Sequence, residues 1–204
     1  MRLLELFSGT GSVRKAIGHQ FDEIVSLDIL QKFNPTECCD ILDWDYTQYS
    51  PGHFDVIWAS PPCTEYSAVL YGRPTRQRDL ESADRIVKRT LDIIAYFNPV
   101  KWFLENPQTG LLKTRDIMID IPFVDVDYCK YGYTYRKRTR IWTNVDYTGK
   151  LCKKDCGNIV NNRHKNAIGN STYTEHWDRG TTERLNQRYS IPSDLIVELF
   201  QSQP

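Results

Sequence analysis

The chain has 204 residues, enough to bury one substantial core and short for two. Lys plus Arg and Asp plus Glu each total 26, so the net charge is zero and the overall basic excess of a general nucleic-acid coat is excluded. Six cysteines do not make a disulfide scaffold at this length, and no run approaches the roughly 18 apolar residues of a membrane span.

RLLELF (2–7) reads as a strand and breaks to Ser8-Gly9 too soon for a secretory core, so no export signal and reduced, cytosol-like thiols are expected. GTGSVRKAIGHQF is a turn leading into a helix, EIVSLDI (23–29) a second strand, and Asp40 in CCDIL is expected to close a third. FDVIWA (54–59) is a further strand, bounded by Pro51-Gly52 and Pro61-Pro62. LESADRIVKRTLDIIAYF (80–97) has helical apolar spacing and stops before Pro99, after which KWFLEN (101–106) returns to a strand. This alternation predicts an α/β fold with a mostly parallel sheet, whose ligands sit beyond the carboxyl ends of the strands. Residues 1–145 form the expected main domain. Residues 146–185, polar and rich in Asn and Gly, form a loop-dominated insert, and 186–204 carry a short helix (192–201) that packs back.

Three stretches at strand ends carry chemistry. In LFSGTGSV, Gly9 and Gly11 let backbone approach a ligand closely. Arg14 fills the third glycine position of the dinucleotide fingerprint, which argues against a pyrophosphate cofactor and a dehydrogenase. Asp28, 17 residues after Gly11, is placed to accept from ribose hydroxyls, and Asp40 from an adenine amine. An ordinary βα turn with two surface acids would read the same way. In SPPCTEYS, prolines stiffen the approach to Cys63 and aim its thiol, although an inert cysteine after a strand stop is the plainer reading of that stretch alone. Glu105-Asn106-Pro107 adds an acid at a neighbouring strand end. In YRKRTR, Arg138 and Arg140 alternate and share a face of an extended segment.

In this order, LFSGTGSV, SLDI, CDIL, SPPCTEYS, FLENP and RTRIW resemble the S-adenosylmethionine-dependent cytosine-C5 DNA methyltransferases over residues 2–142. The resemblance implies a Rossmann-like methyltransferase fold with helices on both faces of the sheet. It implies S-adenosylmethionine bound by Phe7, Ser8, Gly9, Thr10, Gly11, Asp28, Ile29, Asp40, Ile41, Ser60 and Pro62. It implies a catalytic set of Cys63, Glu105, Asn106, Arg138 and Arg140, with Cys63 as nucleophile, Glu105 contacting N3 and the exocyclic amine of cytosine, Arg138 helping to hold the base through its carbonyl oxygen, and Arg140 supporting the site. The implied partner is DNA with the target cytosine flipped out, met by a monomer. RNA, a single strand or a cytosine nucleotide is the alternative substrate, and an inert binding module of the same fold is the alternative class.

Thr64, Pro107 and Arg136 depart from the family pattern, and the Gly-Asn pair expected near the C-terminal helix is missing, which puts substrate preference in question. The interval after the Arg motif is too short for a large reader, so short or loose specificity is expected. Such a compact enzyme suits a phage or another mobile element. Arg73, Arg76, Arg78 and Arg136 lie in basic clusters suited to phosphate, or simply to a solvated face. Cys152 and Cys156, with His164 and Cys129 and with His176 as a second candidate histidine, fall within zinc-ligand spacing. The alternative is free loop cysteines.

Overall fold

The structure is a computed structural model that describes residues 1–67, 77–166 and 182–204, with the side chains of 182–185 excepted. Six strands form one sheet: β1 (Arg2–Leu6), β2 (Glu23–Leu27), β3 (Val56–Ala59), β4 (Lys101–Pro107), β5 (Phe123–Asp127) and β6 (Arg138–Thr143). Their order is β2-β1-β3-β4-β6-β5. The first four run parallel, and β6 lies antiparallel between β4 and β5. Every residue of β3 is buried, as expected of a strand covered on both faces.

Alternation along the strands divides the core in two. Leu4, Leu6, Ile57, Ala59 and Leu104 pack on one face against α2 (Leu80–Phe97) through Val87, Ile93, Ile94 and Phe97. Each of those four side chains contributes roughly 1.5–3 kcal/mol by leaving water. Asp79 caps the helix by accepting from the Ser82 amide, and Asn98 ends it in the left-handed region before Pro99. Leu3, Val56, Trp58, Phe103 and Ile141 form the other face, covered by α1 (Ser12–Ile17) and by Leu195, Ile196 and Leu199 of a C-terminal helix, Ser193–Gln201. No helix among the described residues is long and apolar enough to cross a membrane.

Three elements differ from expectation. Residues around Asp40 form no strand. Asp40 folds the chain back by accepting from Leu42 N at Oδ1 and from Asp43 N and Trp44 N at its carbonyl, so the amides that a strand would offer sideways are spent locally. Only Glu37 bridges to Leu27. The stretch FVDVD makes the edge strand β5, legible in retrospect as strict apolar–acid alternation from Val124 to Asp127. The insert contains a short hairpin, β7 (Ile159–Val160) with β8 (Arg163–His164), and its end enters helix α3 (Thr182–Tyr189), so the terminal helix is α4. Tyr133 and Tyr135 engage the end of α3, the latter by donating to Gln187 O.

Glu5 is the exception within the buried part of β1. Its Oε1 accepts from Val13 N at 3.2 Å, and its Oε2 is buried with no partner. Burial pushes the carboxyl up to about 7, opposed by the Val13 amide. The folded chain therefore keeps this proton over a range where the unfolded chain, near 4.5, has lost it. The associated stability is complete below about 4.5 and is lost as pH rises to about 7, a fall of roughly 3 kcal/mol. Urea unfolding of the wild type at about pH 4.5 and about pH 7.5 should show this loss, and Glu5→Gln should flatten it. An equal loss in the variant would assign the slope to other groups.

Candidate active site

The parallel strands β1, β2, β3 and β4 release their chains along one edge. At the first exit Phe7, Gly9 and Gly11 all adopt positive φ, at 57°, 46° and 67°. Such a conformation is ordinary for glycine but strained for phenylalanine, and strain of this kind is kept where surrounding structure enforces it. A Cβ on Gly11 would lie 2.5 Å from the Arg14 guanidinium. Asp28, at the next exit, is 8% exposed; its Oδ2 accepts from Gly9 N at 2.8 Å and its Oδ1 from Leu30 N at 2.9 Å. It thus ties the two exits together while keeping lone pairs in reserve. Ser8 Oγ is buried without a partner, and Ile29 beside Asp28 is 63% exposed. An orphaned hydroxyl, a carboxylate at a strand end and a bare apolar side chain suit a ligand with both hydroxyls and an aromatic face, which is what an adenosine-bearing cofactor presents. Thr10 pairs with Ser12 through their hydroxyls at 3.1 Å, and Ser60 Oγ accepts from Trp58 Nε1. Pro62 is exposed. Asp40 sits in its turn with Ile41 buried behind it, and Arg89 of α2 pins that turn through Ile41 O and Trp44 O.

The loop carrying Cys63 is fastened at both ends. Asn106 Nδ2 donates to Pro61 O at 2.9 Å, while Asn106 Oδ1 is buried and unpartnered. Beyond the thiol, Tyr66 N donates to Cys63 O at 3.1 Å. Tyr66 itself is fully buried, and its hydroxyl donates to Asp84, which Arg115 grips with Nε and Nη2. Arg78 donates to Glu65 O and Ser67 O, so this candidate phosphate ligand braces the thiol loop. Arg73, Arg76 and His176 lie outside the described residues.

Two residues that the sequence reading did not single out complete the centre. Tyr128 donates to Glu105 Oε1 at 3.0 Å and Lys137 Nζ to the same oxygen at 3.3 Å. No described residue donates to Oε2. Lys137 could have been found by parity: it alternates with Arg138, so an extended segment turns it to the opposite face. Register explains the arrangement. Across β4 and β6, Glu105 stands opposite Ile141, whereas Asn106 stands opposite Arg140. Arg138 and Arg140 therefore share the Asn106 side, away from Glu105 and Lys137. Each is held by two bonds to one acid of β5: Arg138 to Asp127 at 3.0 and 2.8 Å, Arg140 to Asp125 at 2.8 and 2.9 Å. Arg136 adds a bond to Asp127 at 3.1 Å. The structure thus unites Cys63, Glu105 and Asn106 and sets the arginine pair in a ladder on one side of them.

The candidate metal ligands also converge. One ligand atom each from Cys129, Cys152, Cys156 and His164 lie within 4.8 Å of one another.

Burial raises the Cys63 thiol above its ordinary value, the Glu105 charge raises it further, and Lys137 pulls it back. Alkylation of Cys63, followed by mass spectrometry of its peptide, should accelerate as pH rises. Lys137→Ala should slow it at neutral pH, with the gap closing in alkali, and Lys137→Arg should restore it. A Lys137→Ala profile that overlays the wild type removes Lys137 from the thiol's field.

No family model matches the chain. It is 38% identical, over 219 aligned positions, to the "Probable DNA (cytosine-5)-methyltransferase" of Frog virus 3 (isolate Goorha), covering 98% of this chain and 99% of that protein. Among solved structures it resembles a candidate DNA modification methyltransferase encoded within a prophage of E. coli, with a TM-score of 0.52 and 16% identity. The match covers 72% of this chain and about half, 49%, of that one, and it speaks for the fold. With near-complete coverage at that identity to the viral protein, and the thiol, acid and glycine loop gathered on one edge of the sheet, the chain belongs to the DNA (cytosine-5)-methyltransferase family.

Proposed function

We propose that this enzyme methylates C5 of cytosine in DNA, using S-adenosylmethionine and a transient bond from Cys63 Sγ to C6 of the base. The observation that carries the reading is the stiffly mounted Cys63 in the field of the Glu105–Lys137 pair, beside the strand exits that hold Asp28 and the glycine loop. C5 of cytosine is a weak nucleophile. Addition of the Cys63 thiolate to C6 moves the C5–C6 π pair onto C5, which can then form a bond to carbon. Glu105 supports this addition by contacting N3 and the exocyclic amine through Oε2, while Tyr128 and Lys137 hold Oε1. S-adenosylmethionine, when bound, supplies an electrophilic methyl group to that carbon. Loss of the C5 proton to a base then restores the double bond and expels Cys63 as thiolate. Asn106 fixes the Pro61 carbonyl and so the approach of the thiol. Arg138 and Arg140, stiffened by Asp127 and Asp125, serve as supports from the neighbouring side of the sheet.

Phe7, Ser8, Gly9, Asp28 and Ile29 would hold the cofactor's nucleoside, with Asp40 on the adenine side. A cytosine within a duplex must leave the stack to reach Cys63. Only about fifty residues, 144–192, separate β6 from α4, which supports a short or loose recognition sequence. The viral relative is in keeping with a mobile-element origin.

Methyl-labelled cofactor offered with duplex DNA, single-stranded DNA, RNA and free nucleotides decides the matter. Label should enter duplex DNA, Cys63→Ser should abolish it, and Glu105→Gln should lower kcat by roughly a hundredfold or more. Transfer confined to RNA or nucleotides reassigns the substrate. Transfer that survives Cys63→Ser rules out the covalent route, and no transfer to anything leaves a binding module.

A further inference from the structure

We infer that Cys129, Cys152, Cys156 and His164 form a structural zinc site that fastens residues 150–164 to the arginine-bearing edge of the sheet. Three thiols and an imidazole come together from separate places: the turn after β5, the loop 152–156, and β8. Zinc at about 2.3 Å from sulfur and about 2.0–2.1 Å from nitrogen gives tetrahedral S–N edges of about 3.6 Å. Cys152 Sγ lies 3.4 Å from His164 Nε2, and no pair of the four ligand atoms is more than 4.8 Å apart. A modest contraction around an ion closes the set.

The loop is shaped for that purpose. Lys154 and Gly157 take positive φ, at 69° and 75°, curling the chain around the sulfurs. Lys154 N donates to Cys152 Sγ at 3.3 Å, the kind of outer bond that steadies a thiolate ligand. Lys130 pairs with Asp155 at 3.0 Å and closes the loop over Cys129. The segment has little core of its own, since Leu151 is 42% and Val160 49% exposed, so an ion replaces the burial that it lacks. A disulfide would engage only two of the three thiols and give the imidazole no role.

Four protein ligands leave no open position, so the ion is a staple and activates no water. What it staples is specific. Cys129 follows the fully buried Asp127 by two residues, and Cys152 N donates to Asp127 Oδ2 at 2.8 Å. The two strands of chain that zinc would join are therefore the two that flank the acid holding Arg136 and Arg138.

The test uses the full chain, expressed with added zinc and purified under reducing conditions. Metal analysis should find about one zinc per chain, and cobalt exchanged for it should give the visible bands of a tetrahedral thiolate site. Cys152→Ala/Cys156→Ala should lose the metal, whereas His164→Cys should retain it. A chelator should lower the melting temperature of the wild type and leave that of the double variant unchanged. Wild-type protein free of metal, a double variant that still holds zinc, or a disulfide among these cysteines in chain alkylated at lysis would overturn the site. None of these readings depends on methyl transfer, so the staple and the reaction stand or fall separately.

Discussion

Parallel pairing of β1, β2, β3 and β4 is the constraint from which the site follows. Strands that point the same way must release their chains on the same side. Phe7, Asp28, Ser60 and Pro107 are therefore brought to one edge although a hundred positions of sequence separate the first from the last. Burial on both faces fixes the register, because a slip of one residue would carry Leu4, Ile57 and Leu104 out of one core and into the other. The glycine loop and the Pro-Pro mount are rigid local devices, but the sheet decides that they face each other.

The antiparallel strand β6 adds a second device. Inserted between β4 and β5, it turns alternate residues to opposite sides. Lys137 reaches Glu105 beside the thiol, while Arg138 and Arg140 meet Asp127 and Asp125 on the other side. One short basic run thereby serves two purposes. Two-bond pairs between guanidinium and carboxylate are the stronger and more directional kind of ion pair. The β5–β6 ladder gives this edge a rigidity that burial alone would not, since Phe123 at its start is half exposed.

Asp127 is the point where sheet edge and insert meet. With no exposed surface, it accepts from Arg136, Arg138 and the Cys152 amide. Buried charge of this kind is costly unless fully bonded, and here each oxygen has at least two donors or a charged one. The Cys/His cluster lies just beyond it. The segment after β6 is thus tied through the Cys152 amide to the acid that holds Arg136 and Arg138, so loss of that tie would be felt first at those two arginines.

Much of this was legible in the chain. The helix over 80–97 has the expected bounds, because amphipathic spacing, an Asp cap and Asn98-Pro99 all agree. Cys63, Glu105 and the glycine loop stood out because their neighbours are stiff or unusually free, which is a local property. Strand β5 and the turn at Asp40 were misjudged because Asp sits in both. Only the presence or absence of a partner strand decides whether its neighbours' amides turn inward or reach across. Lys137 and Tyr128 were missed since each looks ordinary until register places it against Glu105. The sequence by itself determined the family and singled out Cys63, Glu105 and the glycine loop as candidates, since these rest on residue type and local backbone. Which face each arginine takes, what Arg78 holds and how three distant cysteines and a histidine meet were decided only by the tertiary structure, because contacts across strands depend on register and not on spacing along the chain.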